Sequence, residues 1–163
     1  MAVVDYFLKI AGCPGESEDA QGHKDEIQLE SWSFGETQSG TFSFGSGGGA
    51  GKVQMQDFHF VMKVNKASPK LFLACANGEH FDNAILTCRK AGKNPMEFYK
   101  VTFSHCLVSS FQTSGSGSAD VLPMEQISLN FDKIEIEYKM QADSGSPGGQ
   151  VRAAYDLRKS QSS

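Results

Sequence analysis

Apolar residues along this chain recur mostly at every second position, the spacing of a strand with one face turned inward. In DYFLKI (5–10) Tyr6, Leu8 and Ile10 share one face and Phe7 lies on the other, which predicts a strand covered on both sides. In EIQLESWSFG (26–35) Ile27 and Leu29 share one parity, whereas Trp32 and Phe34 share the other. VQMQDFHFVMKV (53–64) begins with Val53 and Met55 and switches to Phe58, Phe60, Met62 and Val64. ISLNFDKIEIEY (127–138) carries Ile127, Leu129 and Phe131, then Ile134, Ile136 and Tyr138. A change of phase inside a strand predicts a bulge or bend, in the first case near Glu30–Ser31. Three such changes predict strongly curved sheet, as in a barrel.

Further strands are predicted at AILTCRK (84–90), EFYKVTFSHCLVSSFQT (97–113) and VRAAYDLRK (151–159). In the long one Tyr99, Val101, Phe103, His105 and Leu107 alternate with Lys100, Thr102, Ser104 and Cys106. One helix interrupts the pattern. SPKLFLACANGEH (68–80) offers Ser68 as N-cap, Pro69 at the first helical position and Gly78 as the stop. Its narrow stripe of Leu71, Ala74 and Cys75 suits a helix laid across an open barrel end. Gly- and Ser-rich loops fill 11–25, 39–52, 114–123 and 141–150. The expectation is a mainly β chain: one antiparallel β-barrel over 1–163, a short helix at about 68–78, and a flexible tail at about 159–163.

Composition narrows the function. Fifteen basic against 19 acidic residues leave a net charge of −4, without the basic excess of a nucleic-acid binder. The run MAVVDYFLKIAG is interrupted by Asp5 and Lys9 and is short for a signal peptide, and no stretch approaches membrane-spanning length. Synthesis in the cytosol, with neither general secretory export nor membrane insertion, is the expectation. Cys13, Cys75, Cys88 and Cys106 form no CxxC pair or metal-finger spacing and read as small buried hydrophobes. His23, His59, His80 and His105 form no HExxH or close pair, so neither metal nor cofactor is expected.

GSGGGAGK (45–52) looks at first like a phosphate cradle. A P-loop would need Gly at 46 and a hydroxyl at 53, where Ser46 and Val53 stand. A dinucleotide-binding turn through Gly45, Gly47 and Ala50 needs a helix next, but KVQMQDFHF alternates as a strand. No serine sits in GxSxG, and no carboxylate pair stands out. Enzyme is therefore the weaker hypothesis. Two phenylalanines, Phe42 and Phe44, lie in the polar loop 35–52, where they either tuck onto their own barrel or anchor a docking arm.

Several stretches taken in order resemble a known family. GES (15–17), ESWSFGETQSG (30–40), GGGAGKVQMQDFHF (47–60), SPKLFLACANGEHFDNAILTCRKAG (68–92), LVSSFQTSGSG (107–117) and ISLNFDKIEIEY look like haemolysin-coregulated protein (Hcp), the tube subunit of the bacterial type VI secretion system. The resemblance runs from about residue 2 to 158.

It implies a barrel protomer that closes into a hexameric ring, and rings that stack into an expelled inner tube. The implied partners are further copies of the chain, a spike protein (VgrG) at the tip, the contractile sheath and small effectors carried or chaperoned in the lumen. Secretion from the bacterial cytoplasm without a signal peptide follows from the same likeness. It implies that Thr41, Phe42, Ser43, Phe44, Gly47, Gly48, Gly49 and Lys52 belong to an arm that contacts a neighbouring ring or protomer. With Trp32 and Phe34 facing the core, Ser31, Ser33 and Gly35 point the other way, either to a lumen or to plain solvent; the resemblance favours the lumen. The alternative function is a monomeric β-barrel ligand-binding module.

Overall fold

In the computed structural model the described residues are 4–40, 52–117, 122–141 and 147–163. The strands are β1 (Val4–Ile10), β2 (Ile27–Gln28), β3 (Ser31–Ser33), β4 (Glu36–Thr37), β5 (Gln54–Met55) and β6 (Phe58–Lys63), then β7 (His80–Lys90), β8 (Met96–Ser114), β9 (Met124–Asn130), β10 (Lys133–Gln141), β11 (Pro147–Asp156) and β12 (Gln161–Ser162). One helix, α1 (Ser68–Asn77), joins β6 to β7. All strand pairings are antiparallel.

The pairings run β2–β1–β7–β8–β9–β6–β3. Because β2 and β3 are consecutive pieces of one bent strand, this path closes into a barrel. β10, β11 and β12 extend the sheet outward from the first half of β8.

The phase changes are points at which a strand exchanges partners. Between β2 and β3 the Leu29 N–H donates to Tyr6 O on β1, whereas the next N–H, of Glu30, donates to Val61 O on β6. Between β5 and β6 the chain leaves a separate two-stranded sheet and enters the barrel. Between β9 and β10 it turns at Phe131–Asp132, and β8 changes partner there from β10 at Ser104 to β9 at Leu107.

A fourth change sits inside β8, where the sequence predicts simple alternation. His105 takes a left-handed backbone, φ 52°, so Cys106 and Val108 turn inward while His105 and Leu107 no longer follow Phe103 into the core. Asp132 ties this handover together. Its backbone N–H donates to Ser104 O, and its carboxylate hydrogen-bonds His105 Nδ1 and forms an ion pair with Arg158 Nε, at 2.9 Å each.

Phe103 is fully buried at the centre of the core, with ring centroids of Phe58 and Phe131 at 4.6 and 4.8 Å. Leu8, Phe60, Met62, Leu86, Val101 and Leu129 fill the same interior. Each such side chain contributes about 1.5–3 kcal/mol through lost water contact. β1 is covered on its other face as well. There Phe7 stacks on His23 at 4.5 Å, with the Arg89 guanidinium 4.8 Å from its centroid.

α1 closes one end by burying Leu71 and Ala74, with Cys75 half-buried. Ala67, not Ser68, is the residue before the helix. Asn65 forms the turn instead: its Oδ1 accepts from Ala67 N–H, and its own N–H donates to Ser68 Oγ. The Ser68 hydroxyl then donates to Glu125. Gly78 ends the helix with φ 73°, the conformation its lack of a Cβ permits. At the C-terminus, where a tail was expected, Gln161 and Ser162 return to pair with Asp156 and Tyr155.

Candidate functional site: a polar groove across four strands

The outer face of β3, β6, β9 and β8 is built from two registered rows. Ser33 lies opposite His59, His59 opposite Ser128, and Ser128 opposite Ser110. Two residues along, Ser31 lies opposite Val61, Val61 opposite Gln126, and Gln126 opposite Gln112. Each strand offers this face only alternate residues, which is why Trp32, Phe60, Ile127 and Phe111 between them turn toward the barrel. Twist makes the face concave, and a groove of about 420 Å³ lies over it, bordered by Ser31, Ser33, His59, Gln112 and Gln126.

Ser31 and Ser33 are exposed, whereas Trp32 stacks on Tyr99 at 6.0 Å and Phe34 meets Phe103 edge-on at 5.9 Å. The alternation expected for ESWSFG is therefore present. Gly35 lies beyond the groove: its carbonyl accepts the Gln56 N–H, and a Cβ on it would approach the Gln56 side chain to 3.2 Å. His59, Ser110, Gln112 and Gln126 were not singled out from the sequence. Their signal is a polar residue on the outward parity of each strand, which any solvated strand also carries.

Among the described residues no Asp, Glu, Lys or Arg borders the groove. Charges stand at its two ends. Asp57, on the His59 face of β6, accepts from Ser109 Oγ at 2.6 Å and Asn130 Nδ2 at 2.9 Å. At the other end Lys63 and Glu30 pair at 3.8 Å. Ser128 is buried beneath Ser109 and Ser110, whose hydroxyls lie 2.7 and 2.5 Å from its own. Among the described residues no cluster of three His, Cys, Asp or Glu is placed to hold a metal ion, and no helix is long and apolar enough to cross a membrane.

Both edges of this four-stranded face end without a strand partner among the described residues. β3 pairs only with β6, and β8 from Val108 to Ser114 pairs only with β9. A second hollow of about 650 Å³ opens on the other side of β3, between Phe34 and Met55 and the inner face of β10–β11, at Ile134, Ile136 and Tyr155. Of the arm residues, Lys52 is exposed just before β5; Thr41, Phe42, Ser43, Phe44, Gly47, Gly48 and Gly49 lie outside the described residues. On either side of that segment the described residues pair, Glu36 with Met55 and Thr37 with Gln54.

Residues 7–138 match the sequence model of the family described as type VI secretion system effector, Hcp. This chain belongs to the Hcp family. It is 43% identical to Protein hcp1 of Pseudomonas aeruginosa over 157 residues, 95% of this chain and 96% of that one. Its fold matches the crystal structure of Hcp1 from Salmonella typhimurium with a TM-score of 0.81 at 33% identity, covering 99% of this chain and 100% of that one. A solved type six secretion system protein matches with a TM-score of 0.92 at 27% identity, over 98% and 99% of the two chains. Hcp is a structural secretion family whose members serve as type VI effector and tube proteins, and its homologues assemble as hexameric rings.

Proposed function

We propose that this Hcp chain forms its ring by strand addition, joining the open edge of β3 in one copy to the open edge of β8 in the next. The observation that carries this is the pair of unpartnered edges on one four-stranded face. An edge strand is a row of unsatisfied backbone donors and acceptors, a template for another chain. The two edges belong to different strands, so the contact is heterologous, the kind that makes a ring when its rotation closes, as in the hexameric Hcp homologues. Six four-stranded faces joined in this way exceed the roughly 16–18 strands that already leave an aqueous channel. Ser31, Ser33, His59, Gln112 and Gln126 would then line the lumen and hold effectors, carried in a tube expelled from the bacterial cytoplasm, with the spike protein at its tip and the sheath around it. The arm carrying Phe42 and Phe44, with Lys52 at its foot, reaches the neighbouring ring or protomer.

A proline scan from Ser110 to Thr113 tests the edge. Backbone N–H groups on a strand point alternately to its two neighbours, so prolines of one parity break pairing with β9 and unfold the barrel. Prolines of the other parity are expected to leave a folded monomer that forms no rings by light scattering or electron microscopy. Rings that survive every folded proline variant refute edge pairing. For the arm, Phe42→Ala and Phe44→Ala are expected to weaken ring stacking and leave barrel folding intact. The alternative, a monomeric barrel that holds an apolar ligand, has the hollow between Phe34 and Ile136 in its favour. A wild-type protein that remains monomeric at all concentrations, with a small molecule retained in native mass spectrometry, would select it.

A further inference from the structure

We infer that the groove selects polypeptide cargo by an uncharged, hydrogen-bonding surface, through contacts that salt does not weaken. This rests on the proposed reading of the face as the cargo wall. Its two complete rows across four strands carry serine hydroxyls, glutamine amides, one valine and one imidazole, and no side chain of fixed charge. Among the described residues the charged groups at this face stand at its ends, and each has a partner on the protein: Asp57 with Ser109 and Asn130, Lys63 with Glu30.

The chemistry of these groups sets the selection. Hydroxyls and carboxamides both donate and accept, so Ser31, Ser33, Gln112 and Gln126 match neutral amides and hydroxyls in either role. A carboxylate or ammonium pressed onto this wall loses water and meets no opposite charge, which opposes its binding. The wall itself offers a bound peptide no fixed charge, so ionic strength has little contact attraction to screen. Among the described residues His59, at the middle of the Ser33 row, is the single ionisable side chain bordering the groove. Its replacement by glutamine keeps hydrogen-bonding capacity and removes the capacity for charge.

The test uses three fluorescently labelled peptides of equal length: one of Gly, Asn, Gln and Ser, and two in which several positions become Glu or Lys. Each is titrated by anisotropy into the full chain at mildly alkaline pH, in low and high salt, with ring size followed by light scattering. The neutral peptide is expected to bind with the same affinity at both salts and about tenfold more tightly than either charged peptide. His59→Gln is expected to leave neutral binding in place. His59→Glu and Gln126→Glu, both exposed and on the two inner strands of the face rather than its edges, are expected to weaken it about tenfold and to create salt-sensitive binding of the Lys peptide, with ring size unchanged. Tighter binding of a charged peptide by the wild-type ring, or no binding of any peptide to an intact ring, overturns the inference. A chain that never forms rings overturns the tube-wall reading instead, a result that light scattering reports separately.

Discussion

Replacing Arg89 by methionine removes a charge held inside the barrel's outer layer while keeping much of the side-chain volume. Its Nη1 and Nη2 donate to the two Asp19 carboxylate oxygens at 2.9 and 2.8 Å, and Nη2 also reaches Asp5 at 3.3 Å. The guanidinium lies over Phe7, and its Nε is buried with no hydrogen-bond partner. Removing one member of a buried pair costs about 3–5 kcal/mol, whereas fully exposed pairs contribute about 1 kcal/mol or less. The Arg89 side chain is 9% exposed, but those of Asp19 and Asp5 are 17% and 26% exposed, so water screens the acidic side of the pair. The expected loss for Arg89→Met is therefore about 2–4 kcal/mol. Arg89→Lys keeps the charge but not the two-pronged contact, so it is expected to recover part of that loss.

The assay is urea unfolding at fixed protomer concentration, because assembly adds to apparent stability, with ring size checked before each titration. A pH series supplies an independent reading. The Arg89 hydrogen bond holds the Asp19 carboxyl down from 3.8 to about 2. A depressed folded value means that the contribution is full above about pH 4 and is lost as the pH falls through about 2. In Arg89→Met the Asp19 value rises and that acid-side loss shrinks. A variant that loses less than about 1 kcal/mol would assign the pair to the ordinary exposed class. An Asp19 titration that remains near 2 without Arg89 would refute the guanidinium as the cause of the depression.

Other perturbations separate core, loop and thiols. Phe103→Ala removes the ring shared by Phe34, Phe58 and Phe131 and is expected to cost about 3–5 kcal/mol in urea unfolding. Gly15→Ala would place a Cβ 2.5 Å from Glu26 O, so the loop must shift, at about 1–3 kcal/mol in the same assay. Burial pushes the Cys13 thiol up to about 11 and those of Cys88 and Cys106 to about 12. A thiol reagent at mildly alkaline pH is expected to label half-buried Cys75 first and the other three only on unfolding. Mass mapping of the labelled peptides checks the order.

The apolar pattern carried the curvature of this fold but not its cause. At 29–30, 56–57 and 131–132 the phase changes because a strand leaves one partner for another, and a list of inward residues does not name the partner. The change at His105 had no comparable mark, since histidine is an ordinary strand residue and its left-handed backbone is imposed by the handover from β10 to β9. The helix start was misplaced by one residue because Asn65 forms the turn that Ser68 was expected to make. The groove was legible on β3 alone, where two aromatics leave Ser31 and Ser33 facing outward. Its other polar members come from three strands remote in sequence, and only pairing reveals that Ser33, His59 and Ser110 share a row. The same partner exchange connects shape to assembly. Where β8 passes its last bond to β7 at Leu107 and continues to Ser114, a barrel strand becomes an open edge. That edge lies outside the pairings that close the barrel, so a single chain completes its own barrel and, among the described residues, still presents an open strand with which to build a ring.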